Sequence, residues 1–189
     1  MLLLPGASGA RHLSDLERTE RDYLIRSFQE LESRADFILI DTAAGISRNV
    51  VQFASAADEV IVVTTPEPTS ITDGYAVVKA ISREKGAGRV RLVVNLSNGS
   101  AEAARVFERI QAVSRKFLGT EVSFLGHIVS DDQVRQAVRR RRPFYLENPR
   151  SPASQCVRGL AEALVGDATA VRNVGFIKRF ASAIGGVLS

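Results

Sequence analysis

One carboxylate in this sequence stands where a sheet would hand it to a ligand. Asp41 closes the apolar run Phe37-Ile38-Leu39-Ile40, and Thr42 and Gly45 follow in the turn. A short fully apolar run of this kind reads as a buried parallel strand. The C-terminal edge of such a sheet is where open α/β proteins bind ligands. A carboxylate there can join the shell of a magnesium ion, and a glycine loop beyond it can sense a terminal phosphate. The same residues equally suit an acidic strand end that caps a loop and binds nothing. Asn95 ends another apolar run, and its amide can donate and accept at once on the edge of a base. It also suits turn formation with Ser97 and Asn98. Pro66 and Pro68 stiffen a loop, which by itself is a plain structural turn. His12 and His127 lie far apart, and Cys156 is the one cysteine, so neither a cysteine zinc cluster nor an internal disulfide is available.

These residues need strands to carry them and helices to cover the strands. Residues 37–40, 60–64 and 90–95 read as buried strands, and 122–129 as an alternating one. Between them, helical patterns run over about 15–34, where Ser14 and Glu17 form a capping box and Leu16, Tyr23, Leu24, Phe28 and Leu31 form the apolar stripe. Further helices fit 47–57, 69–84 with Thr69 or Ser70 as cap, 100–117, a short stretch from Asp131 to the arginine run, and 152–165. Strands alternating with long helices predict βαβ units and a mostly parallel α/β sheet.

The 189 residues suit one such domain with a tail, and 45% apolar residues supply a core. Aromatics are few and Trp is absent, which argues against an aromatic-lined sugar site or a base-stacking surface. No apolar run is long enough to span a bilayer, and the start has no basic leader, so the expected compartment is the cytoplasm. Charge is uneven: residues 1–130 carry net −1 and residues 131–189 carry net +5. A basic C-terminal third suggests an anionic surface as partner.

Taken together, DFILIDTAAGIS at 36–47, ADEVIVVTTPEPTSITDGYAVVKAI at 57–81 and VVNLSN at 93–98 resemble the MinD/ParA family of deviant-Walker P-loop NTPases. The nearest branch is the FlhG/FleN-like one that controls flagellar number and placement. The resemblance covers residues 1 to about 165, and the stretch 64–76 is long and specific. It implies an ATP-dependent switch that binds ATP and Mg2+, forms a homodimer and hydrolyses ATP slowly. By the same resemblance Asp41 is the metal-shell aspartate and Gly45 the glycine of the second switch loop. Asn95 faces the adenine, Pro66 and its neighbours lie beside the nucleotide and the dimer face, and the segment around Asp131 covers the base. The implied partners are a flagellar signal-recognition-type GTPase or a transcription activator.

The phosphate-binding loop of that family is absent from the sequence: there is no GxxxxGK[ST], and the first lysine is Lys79. The expected sheet is therefore N-terminally incomplete, lacking a strand that normally lies inside it. A fragment or misassigned start, a split or decayed gene, and a domain that kept protein binding without ATP hydrolysis all fit, and no catalytic residue is assigned. The division expected is a partial switch domain over 1–166 and a linker with an amphipathic helix over 167–189. Phe176, Ile177, Phe180, Ile184, Val187 and Leu188 share a sector of about 120°, with Lys178 and Arg179 outside it. That pattern suits a helix lying on the inner face of an anionic membrane, made effective by dimerisation, or a helix packed on the body. Arg139–Arg142 could touch phosphates of DNA or lipid, or simply form a solvated helix end. The readings carried forward are a membrane-associated MinD-like flagellar regulator, a non-enzymatic interaction domain, and a ParA-like partition protein using the arginines on DNA.

Overall fold

The structure is a computed structural model that describes residues 3, 17–32, 34–84, 87–168 and 175–184. Its centre is a parallel sheet of three strands in the order β1 (Glu59–Thr64), β2 (Arg89–Ser97), β3 (Ser123–Val129). Parallel neighbours need a crossover. Here the connections are α3 (Pro68–Ile81) and α4 (Ser100–Leu118), as the alternation of strand and helix patterns requires.

Period two decides which strand residues meet these helices. Val62, Val90, Leu92 and Val94 point to the face where Val78 and Ile81 of α3 and Ala103, Val106 and Ile110 of α4 complete a buried cluster. The opposite face is covered at β3 by α7 (Pro152–Ala168). Gly126 permits that approach: a Cβ there would stand 2.7 Å from Leu160 Cδ2, and its φ of +152° is one that other residues rarely adopt. On β1 this second face is uncovered among the described residues, leaving Val63 59% exposed with Ile61 beside it.

A second cluster forms from α1 (Arg18–Glu32), α2 (Arg48–Ala56) and α8 (Phe176–Ala183). Within α1 the buried residue is Ile25, flanked by Leu24 and Phe28, whereas Tyr23 of the expected stripe faces solvent. Leu24 and Phe28 of the expected stripe thus face the cluster, and Ile25 joins them in place of Tyr23. Ser14 and Leu16 lie outside the described residues.

The clearest correction concerns residues 37–40. They form no regular element and no ladder with any described strand, and Phe37, Ile38 and Leu39 are exposed. An apolar run predicts burial, but a strand exists only through a partner, and no described strand lies beside this one. Only Ile40 finds apolar company, packed against the cluster of α1, α2 and α8.

Candidate functional site

The three strands deliver their C-terminal ends to one edge. Past β1, Thr65, Pro66 and Glu67 turn into α3, with Pro68 as its first residue, a position where the missing N–H costs nothing. Ser70 ties this turn together. Its hydroxyl accepts from the Thr65 backbone N–H at 2.9 Å, and Thr64 Oγ1 donates to its carbonyl at 2.8 Å. Near the end of β2, Asn95 Oδ1 accepts from the Leu96 N–H at 2.9 Å. Glu102, in the first turn of α4, reaches back to the N–H of Asn98, the residue before the cap Gly99, at 2.7 Å.

Between these two turns lies an open cleft of about 230 Å³ lined by Thr65, Pro66, Glu67, Leu96, Asn98 and Glu102. Pro66 stands on the wall of a cleft at the sheet edge. Asn95 adjoins the cleft through Leu96 but is not part of its lining. Leu96 and Glu102 were missed. The backbone angle that turns Leu96 outward leaves no trace in composition, whereas Glu102 was readable as a residue three positions into a helix.

Asp131 is placed by its hydrogen bonds rather than by a ligand. It caps α5 (Asp132–Arg139), accepting from the Gln133 N–H at 2.8 Å, and its other oxygen accepts from the Ala153 N–H of α7 at 3.2 Å. Burial pushes its carboxyl up, but these amides and the Ser151 hydroxyl outweigh that and hold it below its ordinary value. The residue clamps two helix starts beneath the sheet edge. Ser130 joins the clamp to β2, its N–H donating to the Ser97 carbonyl at 3.0 Å.

Asp41 and Gly45 are not brought to the cleft. Both are exposed on the extended segment before α2, and Gly45 has a φ of +100°. Among the described residues no group of three or more His, Cys, Asp or Glu could hold a metal. Among the described residues no turn at the sheet edge carries a lysine behind glycines. A magnesium–phosphate centre is not assembled around Asp41, and no chemical step is derived through one.

The tail residues are placed against the body. Phe176, Ile177, Phe180 and Ile184 are buried between α1 and α2, while Lys178 faces solvent. Phe180 is fully buried, with ring centroids of Phe28 and Phe53 at 5.1 Å and Phe176 at 5.5 Å. Polar contacts fix the register. Arg179 Nε donates to the Ala56 carbonyl at 2.9 Å and its guanidinium pairs with Asp58, while Gln52 Nε2 donates to the Ala183 carbonyl at 2.9 Å. Val187 and Leu188 lie outside the described residues. Arg139–Arg142 are exposed at the end of α5, where Arg140 and Arg142 lean towards Glu147 at 3.8 and 4.0 Å. No described helix is long and apolar enough to cross a membrane.

No protein-family model matches the chain. It is 36% identical over 160 residues to the antiactivator FleN of Pseudomonas aeruginosa, a match covering 85% of this chain and 57% of that protein. With the flagellum site-determining protein YlxH of Helicobacter pylori it shares 31% identity over 166 residues, covering 87% of this chain and 56% of YlxH. The crystal structure of a ParA family ATPase from Chlorobium tepidum TLS has the same fold. Its TM-score is 0.58 at 22% identity, covering 77% of this chain and 56% of that one. The chain spans a little over half the length of each of these proteins.

Proposed function

We propose that this chain, which belongs to the MinD/ParA family of P-loop ATPases in its flagellar-regulator branch, acts as a nucleotide-governed regulator of flagellar number or placement. Its nucleotide state controls homodimerisation and, through α8, contact with an anionic membrane. The observation that supports this reading is the seat of α8. Ile40, directly before Asp41, packs on the α8 cluster, and α2, directly after the Gly45 segment, supplies Gln52, Phe53 and Ala56 to it. The segment that carries the two switch candidates is thus bracketed on both sides by residues that hold the amphipathic helix. A rearrangement of 41–47 shifts the floor under Phe180, and the released apolar face then needs a new cover. Two helices from a dimer bind a bilayer far better than one.

Co-sedimentation with anionic phospholipid vesicles, with ATP–Mg2+ and with ADP, tests this. Vesicle binding that rises with ATP and is lost in Phe180→Glu supports the reading. Binding that is indifferent to both refutes it. The flagellar GTPase or transcription activator proposed as downstream partner belongs to the same reading. The arginine run favours DNA less, since Glu147 leans on two of its members.

A further inference from the structure

A helix that covers a sheet needs apolar residues only on the face it buries. α7 carries its apolar sector further. Its inner side packs on β3, with Leu160 against Gly126. Val157, Ala161 and Val165 follow at intervals of four, and each such step turns the side chain about 40° further round the helix. The sector therefore leaves the sheet and runs up the flank, where Ala161 and Val165 are exposed. Beside that flank stands Tyr145 of the four-residue helix α6 (Phe144–Glu147). Together α6 and α7 enclose an open groove of about 650 Å³ with almost wholly apolar walls.

Charge around the groove restricts its occupant. Arg158 lies across one end, its Nε donating to the Tyr145 hydroxyl at 3.3 Å and its guanidinium 6.0 Å from the ring centroid. Residues 139–162 hold six arginines and two glutamates, a net +4 that equals the excess of the whole chain. Arg140 and Arg142 lean on Glu147 of α6, so the arginine run borders the Tyr145 end. A bilayer takes up apolar groups that protrude, whereas these are recessed. Phosphates of a nucleic acid match the arginines but not a valine-lined groove. Neither α6 nor α7 offers a strand edge to an extended peptide. A second copy would bring the same positive rim, and α8 brings Lys178 and Arg179. What remains is a helix, because Val157, Ala161 and Val165 form the four-residue ridge on which helices pack. We infer that the groove between α6 and α7 docks an acidic amphipathic helix of a partner protein. Its apolar stripe lies along the ridge, and its carboxylates meet Arg158 and the arginine run. The groove sits at the β3 side of the sheet and shares no residue with 41–47 or α8, so this docking stands apart from the nucleotide switch.

The probe is a fluorescent designed helix of about 18 residues, long enough to lie along α7, with a leucine stripe flanked by glutamates. A second peptide has the same stripe flanked by lysines. Fluorescence polarisation with the full chain should give a Kd on the order of 10 µM for the acidic peptide and at least about tenfold weaker binding for the basic one. Arg158→Glu and Ala161→Glu change exposed positions, so both variants keep the fold, as thermal melts will show. Each should weaken the acidic peptide about tenfold or more, and amide shifts on binding should centre on Tyr145 and Val157–Val165. Equal binding of the basic peptide overturns the inference, as does binding that neither substitution weakens, or no binding at millimolar peptide. A dimer in sedimentation that Ala161→Glu dissolves identifies a second copy as the occupant. Binding to anionic vesicles or duplex DNA that the same substitution abolishes identifies a membrane or a nucleic acid. Either result overturns the inference too. The Phe180→Glu vesicle experiment reads a different surface, so the two readings fail separately.

Discussion

Removing the Phe180 ring should detach α8 without unfolding the sheet. Phe180 is the keystone of the second cluster, touching rings on α1, α2 and its own helix, and it takes no part in the cluster formed by α3, α4 and the strands. Truncating a buried phenylalanine to alanine costs about 3–5 kcal/mol. An eight-residue helix has little stability of its own, so this loss falls on docking. At about 1.4 kcal/mol per decade, the lower figure shifts the docking equilibrium roughly a hundredfold. Hydrogen exchange followed by mass spectrometry reads this directly in Phe180→Ala. Amides of α8 should exchange about a hundredfold faster, those of α2 should follow in part, and those of β2 and α4 should be unchanged. Uniform acceleration across β2 and α4 would refute the reasoning, because the two clusters would then unfold as one unit.

Gly126→Ala should lower stability by about 2 kcal/mol or more in chemical denaturation, since the new methyl meets Leu160 and the backbone is strained at once. Asp131→Asn should cost about 1 kcal/mol at neutral pH as a weakened cap. The natural carboxyl is depressed in the folded chain, so its stabilisation is present above its ordinary value of 3.8 and is lost as pH falls through the depressed one. The stability difference between natural sequence and variant should therefore shrink below about pH 4, as thermal melts across pH will show. Arg91, buried in β2, pairs with Asp167 at 2.7 Å and with Glu59 at 3.3 Å. Asp167→Ala should cost about 1–2 kcal/mol, less than the 3–5 for stranding a buried charge, because Asp167 is half exposed and Glu59 remains.

Much of the parallel sheet was legible because its signals are local. Val60–Val63 and Val90–Val94 are β-branched runs between turn residues, and each strand's partner is the next one along the chain. Residues 37–40 carry the same signal and failed as a strand, because pairing is a property of two segments and only one is described. The tail shows a further limit. Its amphipathic sector was visible, and Phe176, Ile177, Phe180 and Ile184 of that sector are buried. Which apolar surface it faces was not, since a bilayer and the Phe28–Phe53 pair offer the same chemistry. At the cleft, the stiffness of Pro66 and Pro68 was legible as a turn. Leu96 was invisible, because a left-handed angle arises from a register mismatch between β2 and β3 that no single segment encodes.

The uncovered stretch 37–40 also bears on how long this polypeptide survives in a cell. Proteases cut extended backbone that no ladder holds, and quality-control chaperones bind short apolar runs presented to water. Phe37, Ile38 and Leu39 offer both at once. The first nick under limited proteolysis should fall there, and it would sever α1 from the sheet. Whatever strand or partner lies over these residues sets the rate of turnover as well as the shape of the domain, so abundance and assembly are governed by the same three side chains.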